Sequence, residues 1–276
     1  MGTLTWHSPR PKWPWFFFFL GLSFFLGLFF LPTTGLSQAA PIFQVNSPRQ
    51  ISRPDPKFTQ GLFFYNDSLF ESSGLYGESE LNQWELQTDT LKFNRHLKFS
   101  PQFFAEGAVL AQGYIWVLTW KENAVFKIDP HSFAIVDILF SKGQGWGLTF
   151  DGTRLIRSDG SDTLFFHDPI TFEPLGEQKV RDGNTPRAQL NELEWDSAQN
   201  LLLANIYETT RACAIDPLTG KIQFYLDFTS LSQGMPRLSP QLPPILNGLA
   251  LDSSGALWAT GKMWPTLFQI NYSVNF

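Results

Sequence analysis

The sequence is short of several things at once. It has one cysteine, Cys213, in 276 residues, which excludes an internal disulfide framework and a cysteine-rich zinc site. Its four histidines are His7, His96, His131 and His167. None has a spacing suited to metal ligation or to a nucleophile–base pair. Charged residues make up 16% of the chain, well under the usual share of about a quarter. Acidic residues are missing altogether from the first 40 positions. Arg10 and Lys12 are the two basic residues of the first 39, so 18 basic residues beyond them face 25 acidic ones, a net charge of −7. A chain with that balance is a poor candidate for sequence-independent nucleic-acid binding, which needs a basic face to neutralise phosphates, and no nucleic-acid partner is expected. No stretch beyond the first 40 residues sustains a 3.6-residue apolar period, so a helical architecture is excluded as well.

What is present falls into two parts. Arg10 and Lys12 precede an almost unbroken run of Phe, Leu and Gly from Trp15 to Leu31. Small residues follow at Ser37, Ala39 and Ala40. This is the layout of an export signal over residues 1–39, with cleavage after Ala39; the alternative is an uncleaved anchor. The protein is therefore expected to be exported, periplasmic or secreted, with membrane contact only through this segment if it is retained. Residues 40–57 are expected to form an extension leading into the folded part.

From residue 58 the chain repeats. A Gly-Leu or equivalent pair, a turn of Asp, Gly or Asn, and a β-rich run recur around Gly61-Leu62, Gly107, Gly147-Leu148, Glu192-Leu193 and Gly248-Leu249. A second marker, an apolar strand ending in Asp-Pro, recurs at Asp129-Pro130, Asp168-Pro169 and Asp216-Pro217. Spacings of about 40–55 residues with four short strands per period are those of a β-propeller blade. Five copies give an all-β, five-bladed β-propeller over residues 58–276, with an inserted loop near 228–245; a β-sandwich lacks such long in-register repeats. Propellers close on themselves, and a monomer is expected. Aligning the copies places Gln60, Glu106, Trp146, Asn191 and Asn247 on one ring near the axis. Polar groups buried there without partners cost about 1–3 kcal/mol each, which a ligand would offset.

Short motifs run in order along the blades. They include Phe58-Thr59-Gln60-Gly61-Leu62, Glu71-Ser72-Ser73-Gly74-Leu75-Tyr76-Gly77, Phe104-Ala105-Glu106-Gly107 and Leu118-Thr119-Trp120. Gly145-Trp146-Gly147-Leu148, Ser158-Asp159-Gly160-Ser161, Leu190-Asn191-Glu192-Leu193-Glu194, Ala204-Asn205 and Leu246-Asn247-Gly248 with Thr260-Gly261-Lys262-Met263-Trp264-Pro265 follow. Together these segments resemble the plant- and bacterial-type glutaminyl-peptide cyclotransferases. The resemblance implies a five-bladed propeller that converts the N-terminal Gln of a peptide or protein into pyroglutamate and releases ammonia, with no cofactor and no metal. It puts the catalytic glutamate at Glu106, with Asn191 and Lys262 beside it. Substrate contacts fall on Phe58, Gln60, Phe104, Trp120 and Trp146, and on Tyr207, where the family usually has Trp. Ala105 stands for a usual Gly, Ala108-Val109 for Leu-Thr, and Arg53-Pro54-Asp55 for a His-Asp. An Arg of the family is absent, with Leu81-Asn82 in its place.

The residue types suit that chemistry. The substrate amine attacks its own side-chain amide, so proximity is largely built in. One carboxylate whose pKa is raised by an apolar wall could take the proton and return it to the departing ammonia, for roughly 10²–10⁴-fold. No covalent intermediate is needed. Glu71, Asp159, Glu192 and Glu194 are rival acids. Two other functions fit the same pattern. One is a non-catalytic exported propeller binding a peptide or glycan. The other is a cation-dependent sugar or lactone hydrolase drawing on Glu106, Asn191 and Asn247.

Overall fold

The structure, a computed structural model of the chain, describes Gly2, residues 39–47 and residues 49–270. The leader expected over residues 1–39 lies, apart from Gly2 and Ala39, outside the described residues. No helix among the described residues is long and apolar enough to cross a membrane.

Five four-stranded antiparallel blades follow one another. Blade 1 runs from an innermost strand Thr59–Tyr65 through Ser68–Ser73 and Glu80–Leu86 to Leu91–Lys98. The innermost strands of blades 2, 3, 4 and 5 are Ala105–Ala111, Leu148–Phe150, Leu190–Asp196 and Leu246–Leu251. They contact one another in cyclic order, blade 5 against blade 1 included. This is the five-bladed propeller expected from the repeat.

One expectation needs correction. Residues 40–57 are not an extension outside the blades. Arg49–Ser52 is the outermost strand of blade 5, antiparallel to Thr266–Ile270, with Ile51 opposite Leu267. Ile42–Gln44 adds a fifth, parallel strand to blade 4 beside Tyr225–Asp227. The reason is closure: blade 5 supplies only three strands of its own, and an unpaired edge would leave a row of free N–H and C=O groups. Within the loop expected near 228–245, Thr229–Ser232 forms one short helical turn.

Alternation along each strand sends apolar side chains to both faces, so each pair of neighbouring blades sandwiches its own core. Five such clusters are present among the described residues. Phe63 and Phe70 meet Val117 and Phe126 between blades 1 and 2, and Trp116 meets Phe172 between blades 2 and 3. Leu164 and Leu202 share a core between blades 3 and 4, Phe224 and Trp264 one between blades 4 and 5, and Trp258 and Trp84 one between blades 5 and 1. Cys213 is fully buried in one of these cores, and burial pushes its thiol up to about 12.

The repeated glycine has a steric cause. A Cβ on Gly107 would lie 2.5 Å from the Leu148 amide nitrogen, and one on Gly147 would lie 2.1 Å from the Asn191 carbonyl oxygen. Blade 4 has Glu192 at this position, and its buried carboxylate accepts the backbone N–H groups of Leu249 and Leu62. The Asp-Pro markers are turns in which the Asp carboxylate accepts N–H groups two and three residues on, as in Asp129 to His131 and Ser132 and Asp168 to Ile170 and Thr171.

Candidate active site

In every blade the start of the first strand and the end of the second lie at the same end of the ring, because the two are antiparallel. Gln60, Glu106 and Asn191 are each the second residue of an innermost strand. Phe58 and Phe104 immediately precede such strands. Trp120, Tyr207 and Lys262 immediately follow second strands. The repeat thus delivers these side chains to one place. Together with Trp146 they line a single cavity of about 300 Å³.

Asn247 belongs to the same ring in the alignment but does not line the cavity. Its carboxamide nitrogen donates to the Thr59 carbonyl at 2.8 Å and to Gln60 Oε1 at 3.2 Å. It therefore stands behind Gln60. Of the set Glu106, Asn191 and Asn247, considered above for a cation, only the first two line the cavity.

Glu106 is 5% exposed, and its carboxylate has no hydrogen-bond partner among the described residues. Burial raises its pKa well above the ordinary carboxylate range. The Lys262 charge opposes that rise and the Glu122 charge adds to it. Lys262 is buried too. Loss of water pushes its ammonium down to about 8, against the pull of Glu106. Its Nζ donates to Gln60 Oε1 and lies 4.5 Å from the centre of the Phe58 ring. Lys262 and Glu106 act on each other through charge without a hydrogen bond. Asn191 is fixed through its backbone, whose carbonyl accepts the Ser158 hydroxyl at 2.6 Å. Its carboxamide makes no bond to the protein among the described residues.

The wall is aromatic. Phe58 packs edge-on to Phe104 at 6.2 Å, Phe104 meets Trp120 at 5.5 Å, and Trp146 meets Tyr207 edge-on at 5.3 Å. The indole N–H groups of Trp120 and Trp146 donate to Gln144. Outside the wall, Tyr76 packs on Phe104 and donates its hydroxyl to Glu122 at 2.7 Å. Sequence reasoning did not name Gln144 or Glu122 as contributors. Gln144 had one signal, its place two residues before Trp146.

The rival acids are engaged elsewhere. Glu71 pairs with buried Arg53 and accepts bonds from Thr59 and Trp84. Asp159 caps its own turn at Ser161. Glu192 and Glu194 accept the backbone N–H groups of Leu249 and Leu251. A buried carboxylate with free lone pairs, a buried ammonium, two free or half-free carboxamides and an apolar enclosure are suited to moving one proton and steadying one developing oxyanion.

A family model described as glutamine cyclotransferase matches residues 28–272. The curated glutaminyl-peptide cyclotransferase of Arabidopsis thaliana is 32% identical over 254 residues, covering 88% of this chain and 78% of that protein. The crystal structure of Myxococcus xanthus glutaminyl cyclase is similar with a TM-score of 0.76 and 29% identity, covering 86% of this chain and all of the other.

Proposed function

The chain belongs to the glutamine cyclotransferase family of acyltransferases, and we propose that Glu106 carries the proton traffic of its reaction. That reaction closes the N-terminal glutamine of a peptide or protein to pyroglutamate and releases ammonia. On this reading the glutamine side chain enters the cup between Phe58, Phe104, Trp120 and Trp146, with Tyr207 at its rim. The α-amine nitrogen attacks the side-chain amide carbon, forming the C–N bond of the five-membered ring. Glu106 takes a proton from that nitrogen. The amide oxygen gathers negative charge, which Lys262 and the carboxamides of Asn191 and Gln60 stabilise. The protonated Glu106 then gives its proton to the amide nitrogen, the old C–N bond breaks, and ammonia leaves. Glu106 ends as it began, and no covalent intermediate forms.

The carrying observation is the state of the Glu106 carboxylate: buried, without a hydrogen-bond partner among the described residues, raised in pKa, and under the charge of Lys262. A carboxylate of raised pKa is a stronger base toward the amine than an ordinary one, and a pKa closer to the working pH suits one group to both taking and returning the proton. The test is Glu106→Gln, a change of one atom. Ammonia release from a Gln-initiated dipeptide should fall by at least about 10²-fold with thermal unfolding unchanged. Full activity in that variant would overturn the assignment.

We also propose that the enzyme acts after export, as a monomer. The supporting feature is the leader of residues 1–39, with its acid-free flank and its Phe- and Leu-rich run. The mature protein should begin at Ala40 on N-terminal sequencing; a start at Met1 would contradict cleavage.

A further inference from the structure

Two indole N–H groups from neighbouring blades converge on one atom. Trp120 Nε1 lies 2.8 Å and Trp146 Nε1 3.0 Å from Oε1 of Gln144. An indole nitrogen only donates, so the carboxamide must present its oxygen here, and two donors occupy both of its lone pairs. Gln144 sits between the outermost strand of blade 2, Ile135–Phe140, and the innermost strand of blade 3.

The backbone beneath it is pinned from both sides. The Gln144 carbonyl accepts Nη1 of Arg157, a residue only 4% exposed, whose Nε donates to His167 Nε2 at 3.3 Å. The next N–H, that of Gly145, donates to the carbonyls of Thr119 and Trp120 at 3.2 Å each. The Gln144 residue itself is exposed. It adds nothing to a core, so its side chain has little to do for the fold. What it touches are two walls of the cup.

We propose that Gln144 is a positioning residue: it fixes the ring orientations of Trp120 and Trp146 and so sets the width of the cup that receives the glutamine side chain. This rests on the cyclase reading of the pocket. Without the shared acceptor each indole would bond to water instead, and both rings would gain freedom that substrate binding must then remove. Binding should suffer more than the chemical step, because Glu106 and Lys262 do not touch Gln144.

The test uses the full chain with Gln144→Leu, which keeps the size and removes the acceptor, and Gln144→Glu, which keeps an acceptor for both indoles. In Gln144→Leu, where two indole bonds to Gln144 are exchanged for bonds to water, the KM for a Gln-initiated dipeptide should rise about five- to tenfold, with kcat within about twofold. Gln144→Glu should recover most of that loss. In ¹H–¹⁵N spectra without substrate, the indole Nε1–H signals assigned by Trp120→Phe and Trp146→Phe should move in the Leu variant and return in the Glu variant. Unmoved indole signals, or moved signals with unchanged KM, would overturn the proposal. A wild-type chain that releases no ammonia would instead remove the cyclase reading, and the spectra keep the two failures apart.

Discussion

Gly147 offers a direct test of how the ring positions the site. Substituting Ala there places a Cβ 2.1 Å from the Asn191 carbonyl oxygen and 2.8 Å from Glu192 Cα. Both obstacles are backbone. Neither can rotate aside, and the Asn191 carbonyl is also held by the Ser158 hydroxyl. Real Cβ contacts do not fall below 3.0 Å, so the innermost strands of blades 3 and 4 must separate by about 1 Å. Overpacking of this kind costs typically 1–3 kcal/mol, which lowers Tm by roughly 2–4 °C per kcal/mol in a domain of this size. The larger effect falls on activity. Asn191 and Trp146 flank the new methyl, and a misplacement of about 1 Å costs on the order of 10²-fold in rate. Gly113→Ala is the comparator. It meets no atom within 4 Å but has a φ of +79°, so it should lose about 1 kcal/mol and no activity. Thermal unfolding and ammonia release measured on both variants decide the matter. A Gly147→Ala protein with wild-type Tm and rate would mean that these strands do not meet as described.

Two pH effects follow from other buried groups. If Lys262 supports the oxyanion as a cation, kcat/KM should decline as pH rises through about 8, where its ammonium loses its proton. Lys262→Arg, which stays charged, should move that decline to higher pH, and an unmoved profile would remove Lys262 from this role. His167 is held neutral: its Nδ1 meets the Phe172 carbonyl at 3.0 Å and its Nε2 accepts from Arg157. Burial is the main cause that lowers its pKa to about 4. A depressed base contributes stability above its unfolded value, and that stability is lost as pH falls. Tm should therefore drop between about pH 6.5 and pH 4, and His167→Gln should flatten that slope in a thermal scan.

The propeller was legible because its repeat carries a physical signature. The Gly-Leu pair marks where innermost strands touch, and the Asp turns mark where strands reverse. That periodicity also brought Gln60, Glu106 and Asn191 to one end of the ring. Asn247 shares the same repeat position, yet its carboxamide faces Thr59 and Gln60; a period fixes a backbone position and says nothing of the rotamer. Tryptophans divide in the same way. Trp84, Trp116, Trp258 and Trp264 are core, while Trp120 and Trp146 line the cavity, and composition alone does not separate them. The strands at 42–44 and 49–52 were illegible for a different reason. Their partners lie more than 180 residues away, and no local pattern encodes a pairing of that span. Gln144 stayed hidden because a lone glutamine in a loop has no periodicity to betray it.

The pairing of Arg49–Ser52 with Thr266–Ile270 has a kinetic consequence. The seam that locks the ring joins two segments more than 200 residues apart. Neither half can pair before the other has been made, and the entropic cost of closing so large a loop is smaller once the intervening sheets have formed. Until then the toroid is a gapped arc with an unmated edge at blade 5.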